Sequence, residues 1–356
     1  MYQRKLEELA RFSDIELSLA VPPAWRERGR ILHLEKRYTS GYRLYVLPIV
    51  FNGHFHVHFY RGLGALVRHL QPHIVHIDEE PYNLATFHAM HIAQRNKAKA
   101  LFFTWQNLLR RYPFPFSSIE RYNLTHAACA IAGNQEARDV LRAKGYQRTI
   151  YVLPQFGVDP DLYCKIEPPS REDNAFVIGY AGRLVEEKGV QVLLQAATGL
   201  SGNWRLQVIG DGPYRPMLEA LAKALRIENQ VTFEHSIPSG EMPRWLNSLD
   251  VLVLPSLSRR NWKEQFGRVL IEAMACEVPV IGSSSGEIPY VIAEAGLVFP
   301  EGQVEILREA LQQLICNSAL RRELGQRGRA RVLAHYTQQR IATETHTIYQ
   351  QLWKAP

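Results

Sequence analysis

The chain has 356 residues, of which 46% are hydrophobic, and its formal net charge is +7. This length favours two domains, and this apolar fraction is typical of a globular protein that buries real cores rather than of a disordered chain. No apolar run reaches about 18 residues, which argues against a membrane-spanning helix.

Cysteine usage and the opening residues point to a reducing compartment. The four cysteines are scattered and none forms a CxxC pair, so we predict neither a zinc site nor a disulfide framework. The first residues, MYQRKLEELARF, form a charged amphipathic pattern rather than a signal peptide. We therefore expect a cytoplasmic protein without a bound metal.

The positive charge lies almost entirely in the first half. Residues 1–166 contain 22 Lys and Arg against 14 Asp and Glu, together with ten of the thirteen histidines, whereas the remainder is close to neutral. A basic half favours an anionic partner, which could be a membrane surface, an anionic acceptor molecule or nucleic acid. A solvated basic face without any partner explains the charge equally well.

Strands and helices alternate through the first half. Apolar strands that alternate with helices indicate a parallel, doubly wound sheet. The polar, proline-containing segment KIEPPSREDN, residues 165–174, then marks a linker. The patterns predict helices at 5–12, 62–70, 84–97, 119–126 and 136–145, and strands at 15–22, 31–38, 42–51, 73–77, 100–105, 127–132 and 149–154.

The alternation restarts after the linker and ends in three predicted helices at 304–315, 319–336 and 338–353. We therefore predict an α/β fold of two Rossmann-like, doubly wound domains that face each other across a cleft. The first domain is predicted at residues 1–166, completed by a C-terminal helix at about 338–356, and the second at 167–337.

The stretch from Glu264 to Glu287 has the features of a ligand site. Glu264 precedes an apolar segment that is predicted to be helical from about Gly267, and a second acid, Glu272, follows eight positions after the first. A helix start and the small-residue loop 282–286 both offer backbone N–H groups to an anion. We interpret the stretch as a sugar-nucleotide site, with phosphate on the N–H groups and hydroxyls on the two acids.

Three more loops follow predicted strands in the second half, which is where open α/β sheets bind ligands. Arg183 and Lys188 suit a diphosphate, because Arg binds it in a fork and Lys adds a point charge. The turn at 210–212, GDG, is tight, and the loop at 234–238 is expected to flank a base edge. The alternative for the two cations is surface pairing with the neighbouring acids of the segment EEK.

These motifs, in this order, resemble family 4 glycosyltransferases of the GT-B fold. The resemblance rests on G-R-x5-K-G, then GDG, then E-x7-E with FG after the first acid. Residues 154–159, PQFGVD, are similar to that family's P-x-G-V-D signature, and 336–353 are similar to its C-terminal crossover helices. The resemblance covers about residues 150–353 closely and the first half in layout only.

The resemblance implies that a sugar passes, with retention, from a nucleotide-diphosphate-sugar donor to a glycan or lipid-linked acceptor, as in polysaccharide biosynthesis, without an obligatory metal or other cofactor. Arg183 and Lys188 would hold the diphosphate, Glu272 the ribose and Glu264 the donor sugar. Glu264, Arg183 and Lys188 are the implied catalytic residues, because charge develops on the leaving diphosphate. The implied donor site consists of Gly182, Arg183, Lys188, His235, Ile237, Glu264, Phe266, Gly267, Val269, Leu270 and Glu272.

Two acids of this stretch keep a second interpretation. Glu272 could be a solvated helix acid, although its apolar neighbours favour burial, where an unpaired acid is costly. Glu287 occupies a place where the family often has a second glycine. It is either functional or simply exposed.

The acceptor site is expected in the first half. Glu79 and Glu80 follow one predicted strand, and Trp105 and Gln106 follow the next, so both loops should face the cleft. The alternative for the two acids is a solvated loop. Many relatives carry a histidine where Gln106 stands, and a glutamine cannot act as a base, although it can hydrogen-bond a sugar hydroxyl.

Three histidines, His54, His56 and His58, alternate along a segment with the pattern of a strand. Such alternation is compatible with a metal site, but no cysteine or acid joins them at ligand spacing. We therefore favour a strand that faces the acceptor or lies near a membrane.

The start of the chain departs from the family pattern. Relatives open with a strand and a glycine-containing loop, whereas no predicted strand precedes KLEELARF. We expect the natural start to lie upstream of Met1. The alternative is a sheet that lacks a central strand.

Other functions remain open at this point. A non-hydrolysing nucleotide-sugar epimerase uses the same fold, and a basic nucleic-acid-binding protein or a two-domain solute-binding protein would also fit the size. The sequence has neither a nucleic-acid stacking signature nor an export signal. We therefore prefer the transferase, in the cytoplasm, with peripheral contact to the inner face of an anionic membrane through its basic half.

Overall fold

The structure, a computed structural model, describes residues 3–27, 30–166 and 174–355. The chain forms two compact units, one of residues 1–156 with 338–356 and the other of residues 157–337. The first boundary therefore lies earlier than the predicted one after Ile166. The reason is that Val158 N–H donates to Tyr336 O at 2.8 Å and Ile166 N–H to Asn247 Oδ1 at 2.8 Å, which ties this segment to the second unit. Most of the predicted linker, residues 167–173, lies outside the described residues.

The first unit is built around a four-stranded parallel sheet with the order β10-β9-β8-β7. A separate parallel pair, β1 with β4, and two antiparallel pairs, β2 with β3 and β5 with β6, accompany it. The helices are α1 (Gln3–Ala10), α2 (Leu63–Leu70), α3 (Leu84–Arg95), α4 (Phe116–His126) and α5 (Gln135–Ala143). The strands are β1 (Ser18–Val21), β2 (Ala24–Glu27), β3 (Arg30–His33), β4 (Arg43–Val46), β5 (Ile49–Val50), β6 (Phe59–Tyr60), β7 (Ile74–Ile77), β8 (Lys99–Thr104), β9 (Cys129–Ala132) and β10 (Ile150–Val152).

The prediction was wrong in detail between β2 and β6. The predicted strand at 31–38 is one arm of the antiparallel pair β2–β3, and the predicted strand at 42–51 is split into β4 and β5. The histidine segment is a series of turns, in which His58 N–H donates to His54 O at 3.1 Å, so these histidines do not alternate on a strand face. Left-handed backbone at Phe51 (φ 55°) and Gly53 (φ 91°) ends the extended conformation there.

The main sheet of the first unit is buried on both faces, as parallel sheets usually are. One face packs through Leu101 and Ile131 on Ile348 of the last helix, which is numbered α13 below (Gln338–Lys354). The other face packs through Phe102 on Met90 of α3. This packing fixes β7 and β8, so the loops at their carboxyl ends emerge at one edge of the sheet.

The second unit is one six-stranded parallel sheet with the order β13-β12-β11-β14-β15-β16. This is the Rossmann order, and it reverses between β11 and β14, where such sheets bind ligands. Within the described residues, every helix of the chain is too short or too polar to span a bilayer. The elements are β11 (Phe176–Ala181), α6 (Val190–Ala197), β12 (Trp204–Ile209), α7 (Arg215–Ala224), β13 (Val231–Glu234), α8 (Met242–Leu246), β14 (Val251–Leu254), α9 (Arg268–Ala275), β15 (Val280–Ser283), α10 (Ile288–Ile292), β16 (Leu297–Phe299), α11 (Val304–Cys316) and α12 (Ser318–His335).

Candidate functional site

The candidate donor site lies in the second unit, at the point where the strand order reverses. The loop after β11 carries Gly182, Arg183 and Lys188, and the loop after β14 leads through Ser256 to Glu264. Because these strands are parallel neighbours, their carboxyl ends lie side by side. The fold therefore brings the two halves of the predicted site together.

A buried ion pair joins the two loops. Lys188 Nζ lies 2.6 Å from Glu264 Oε2, and Ser256 Oγ donates to the same oxygen at 2.8 Å. Glu264 is only 7% exposed, so burying its carboxylate without these two partners would be costly. The alternative that Lys188 pairs with its neighbours Glu186 and Glu187 is wrong, since its partner is Glu264.

Two glycines let the chain approach this pair closely. Gly189 has φ 71°, and a Cβ there would lie 1.8 Å from Pro255 O at the end of β14. Gly286 has φ 55°, and its Cβ would lie 2.0 Å from Glu264 O, which accepts the Glu287 N–H at 3.1 Å. Neither position tolerates a side chain, so both loops hold Glu264 in place. Glu287 itself is 8% exposed, which excludes the interpretation that it is simply exposed.

The sequence did not single out Trp262, which also contacts the ion pair. The Lys188 ammonium lies over the Trp262 ring, 5.0 Å from its centroid, and Arg259 N–H donates to Trp262 O at 2.7 Å. Arg259 in turn pairs with Glu186 at 2.6 Å. The segment from Trp262 to Glu264 therefore brings both an aromatic face and a carboxylate to Lys188.

Arg183 differs from Lys188 in that its side chain is exposed. The Tyr180 hydroxyl donates to Arg183 O at 3.0 Å, which fixes the backbone of the loop. Burial and then the Glu264 charge raise the pKa of Tyr180, whereas Arg183 opposes them, so both charges act on this one ring. Gly182 N–H is already engaged, since it donates to Ile209 O at 3.0 Å.

The second predicted acid, Glu272, lies in α9 and is 3% exposed, so it is not a solvated helix acid. Its Oε1 pairs with Arg268 Nε at 3.1 Å, one turn earlier. Burial raises the pKa of Glu272, and the Arg268 guanidinium opposes that rise. A buried carboxylate whose ion pair is with one arginine keeps lone pairs for hydroxyl donors, as a ribose would supply.

The residues at the start of α9 that are predicted to bind the donor fit that prediction only in part. Gly267 is its N-cap with φ 77°, and Val269 lies in the first turn. Leu270 N–H, however, donates to Gly267 O at 2.8 Å, so it is used inside the helix start. Phe266 is 5% exposed and packs edge-on against Tyr336 with centroids 5.8 Å apart, which is a packing role.

Asp211, in the turn after β12, organises the loop predicted to flank the base. Its carboxylate accepts hydrogen bonds from Ser236 Oγ at 2.5 Å, from Ser236 N–H at 3.1 Å and from His235 Nδ1 at 2.6 Å. These bonds, those of Ser236 first, lower the pKa of Asp211. His235 is exposed and Ile237 partly buried. The sequence predicts only a tight turn here, and the acid between two glycines after a strand is the signal that marks the position of Asp211.

We expect Asp211→Ala to loosen the His235–Ile237 loop and to raise KM for the donor by about tenfold while kcat changes little, as for a contact made equally in ground and transition states. Asp211→Asn keeps one acceptor oxygen, so its KM for the donor should lie between those of wild type and Asp211→Ala. Initial rates over a range of donor concentrations measure this. An equal rise in KM for Glu228→Ala, an exposed acid on the same unit, would contradict the assignment.

The candidate acceptor residues gather at the carboxyl ends of β7 and β8 in the first unit. Glu80 accepts from Thr104 Oγ1 at 2.6 Å and from Trp105 N–H at 2.8 Å, so it ties the two loops together. Burial raises the pKa of Glu80 to about 7 against these hydrogen bonds. Glu79 accepts from Asn83 Nδ2 at 3.0 Å and pairs with His58 Nε2 at 3.3 Å.

The two side chains after β8 already have protein partners. Gln106 Nε2 donates to Tyr112 OH at 3.1 Å, and its Oε1 accepts from Lys144 Nζ at 2.8 Å. Trp105 Nε1 donates to Gln155 Oε1 at 2.9 Å. An acceptor hydroxyl that bound Gln106 would have to replace one of its partners. Among the residues that the structure describes, no cluster of His, Cys, Asp and Glu is arranged to hold a metal ion.

Glu80 should make stability depend on pH. Its folded-state pKa of about 7 lies above the ordinary value of 4.5, so the folded state binds the proton more tightly. This tighter proton binding stabilises the folded state by up to about 3 kcal/mol. The stabilisation is fully present below pH 4.5 and is lost as the pH rises through 7. Glu80→Gln, which cannot ionise, should therefore gain stability relative to wild type between pH 5 and pH 8. Denaturant unfolding at both pH values measures this, and a difference that does not change with pH would contradict it.

The chain is similar to known glycosyltransferases. The family described as "Glycosyl transferases group 1" matches residues 165–331. The chain is similar to 2-deoxystreptamine glucosyltransferase of Streptomyces kanamyceticus, at 28% identity over 57% of this chain and 55% of that protein. It is also similar to the capsular polysaccharide biosynthesis glycosyltransferase CapM of Staphylococcus aureus, at 32% identity over 49% of this chain and 46% of that protein. The chain spans about half the length of the curated relatives it matches.

Solved structures resemble the whole chain. Sucrose-phosphate synthase from Thermosynechococcus elongatus has a TM-score of 0.72 at 19% identity, covering 100% of this chain and 93% of that one. Anabaena HepE in complex with UDP and glucose has a TM-score of 0.71 at 16% identity, covering 98% and 96%. The predicted fold is thus confirmed as an α/β fold of the GT-B glycosyltransferase class. Residues 165–331, a little less than half of the chain, are similar to the group 1 glycosyltransferases.

Proposed function

We propose that this protein is a retaining glycosyltransferase that moves a sugar from a nucleotide-diphosphate donor to a glycan or lipid-linked acceptor. The observation that carries the proposal is the Lys188–Glu264 pair, at 2.6 Å, at the reversal point of the sheet. It lies within the residues that match the family. HepE, whose fold is similar, has been solved in complex with UDP-glucose. A nucleotide sugar is therefore the donor class to test first.

In this proposal the donor lies across the carboxyl ends of β11 and β14. Arg183 and Lys188 bind the diphosphate, Glu272 accepts from the ribose hydroxyls and Glu264 accepts from the donor sugar. As the glycosidic bond breaks, negative charge grows on the leaving diphosphate, and cations already in place stabilise that state more than the ground state. Their charge is what lets the reaction proceed without a metal or other cofactor.

Retention follows, in the proposal, from attack on the face that the diphosphate leaves. A phosphate oxygen then takes the proton of the acceptor hydroxyl, so no protein base is needed at Gln106, which could not serve as one. Glu79 and Glu80 contact the acceptor from the first unit. The protein acts in the cytoplasm, at the inner face of an anionic membrane.

The test is a time course of the reaction followed by NMR. With an α-linked donor such as UDP-glucose or GDP-mannose and a glycan acceptor, we expect release of the nucleoside diphosphate and a new α-linkage. A β-linked product would contradict retention. Conversion of the donor sugar to its epimer, without nucleotide release, would replace the transferase by an epimerase.

A further inference from the structure

Two loops of the first unit pack against each other beside the candidate acceptor residues. The His56 ring lies 5.6 Å from the Phe116 ring and 5.5 Å from the Tyr82 ring, measured between centroids. Tyr82 in turn stacks obliquely on Tyr112 at 4.3 Å. The segment around Phe55 and the segment before α4 are therefore joined by a chain of aromatic contacts.

This joined surface exposes large apolar side chains next to arginines. Phe114 is 83% exposed, Leu109 62% and Phe55 46%. Arg110 and Arg111 lie between Leu109 and Phe114 and are exposed as well. Single exposed apolar residues need no explanation, but several together with flanking cations mark an interaction surface. We call these five residues the arginine–aromatic patch.

The base of the patch is fixed, although its tips face solvent. Tyr112 accepts from Gln106 Nε2 at 3.1 Å and lies under the Lys144 ammonium, 5.1 Å from the ring centroid. Asn107 Nδ2 donates to Glu136 Oε2 at 3.2 Å, and Ser117 N–H donates to Pro113 O at 3.1 Å. These contacts fix the base of the loop, while Leu109 and Phe114 remain exposed.

We propose that the arginine–aromatic patch docks on the surface of an anionic lipid bilayer. Aromatic and aliphatic tips insert at the headgroup boundary, and the guanidinium groups bind lipid phosphates in fork geometry. The first 166 residues contain 22 basic and 14 acidic residues, and this positive excess, most of which lies in the first unit, draws that unit toward negative charge. We prefer a bilayer to an acidic protein partner, because the excess of basic residues extends over the whole first half of the chain and is not confined to the patch.

Docking through this patch would bring the first unit to the surface that holds a lipid-linked acceptor. In this respect the inference rests on the proposed function. The patch continues directly from Trp105 and Gln106, which belong to the candidate acceptor residues. A lipid-anchored acceptor at the bilayer surface would thus reach Glu79 and Glu80 without leaving the membrane.

Vesicle co-sedimentation of the full chain tests the patch. We expect binding to phosphatidylcholine vesicles that contain phosphatidylglycerol, weak binding to pure phosphatidylcholine, and weaker binding in high salt. Phe114→Asp and the double change Arg110→Gln with Arg111→Gln should each weaken binding by about tenfold or more. Matched controls are Met217→Asp, which is 58% exposed on the second unit, and Lys223→Gln with Arg244→Gln, which are exposed there.

Three results would overturn the inference: no binding to anionic vesicles, equal binding to neutral ones, or patch variants that bind like wild type. Circular dichroism checks that the variants fold, and Phe114→Ala serves as a milder second variant. Stabilisation by nucleotide sugars is measured on the same samples. If that stabilisation persists while vesicle binding is absent, the membrane-docking inference is wrong and the proposed function is not affected. If nucleotide sugars do not stabilise the protein while vesicle binding persists, the proposed function is wrong and the docking inference is not affected.

Discussion

Replacing Lys188 with alanine is expected to lower kcat/KM by about 100- to 1,000-fold, the range found when one preorganised group that stabilises developing charge is removed. The ammonium is held by Glu264 at 2.6 Å and by the Trp262 face at 5.0 Å, so it needs no rearrangement when charge appears on the leaving diphosphate. Steady-state rates with a nucleotide-sugar donor measure the loss. Lys223→Ala, which removes an exposed lysine of the same unit, is the matched control.

Lys188→Ala should also destabilise the fold by about 3 kcal/mol, because it leaves the buried Glu264 carboxylate without its cation. The double variant Lys188→Ala with Glu264→Gln removes that charge and should regain much of the stability while staying inactive. This separates a catalytic loss from a folding loss. Activity of the single variant within about threefold of wild type would contradict the role of Lys188.

Replacing Glu272 with alanine is expected to weaken donor binding by about 100-fold or more. Two hydrogen bonds from ribose hydroxyls to a buried carboxylate contribute about 1.5–3 kcal/mol each, and a loss of about 2.7 kcal/mol corresponds to 100-fold in Kd. Calorimetric titration with UDP or GDP measures the change. Glu272→Gln, which keeps one acceptor, should bind with intermediate affinity.

Glu294→Ala, which removes an exposed acid of the same unit, is the control and should bind as wild type does. The fold of Glu272→Ala should stay intact, since the change also removes a carboxylate that burial disfavours. If this variant binds nucleotides as tightly as wild type, Glu272 is not part of the donor site.

The second unit could be predicted from the sequence because its local signals agree with its tertiary structure. Short apolar runs such as Val251–Leu254 are buried on both faces of the sheet, and the chain between them has a helical period. The site motifs follow directly after those strands. Spacing alone therefore placed Lys188, Glu264 and Glu272 on the correct loops and helix, and the Lys188–Glu264 contact follows from the strand order.

The parts that could not be predicted depend on contacts between distant residues. The segment around His54 has the alternation of a strand, but left-handed backbone at Phe51 and Gly53 turns it against the loop near Phe116. Asp211 gains its role only because its partner Ser236 follows the next strand of the sheet. Trp262 matters only because the chain folds it over Lys188.

The most direct measurement is a thermal-shift panel of UDP-, GDP-, ADP- and TDP-sugars on wild type and Glu272→Ala. A ligand at 100 times its Kd stabilises the folded state by about 2.7 kcal/mol, which gives a clear shift in Tm. We predict that one nucleotide class raises the Tm of wild type and leaves Glu272→Ala unchanged. A wild-type Tm that stays constant across the whole panel would contradict a nucleotide-sugar site in this protein.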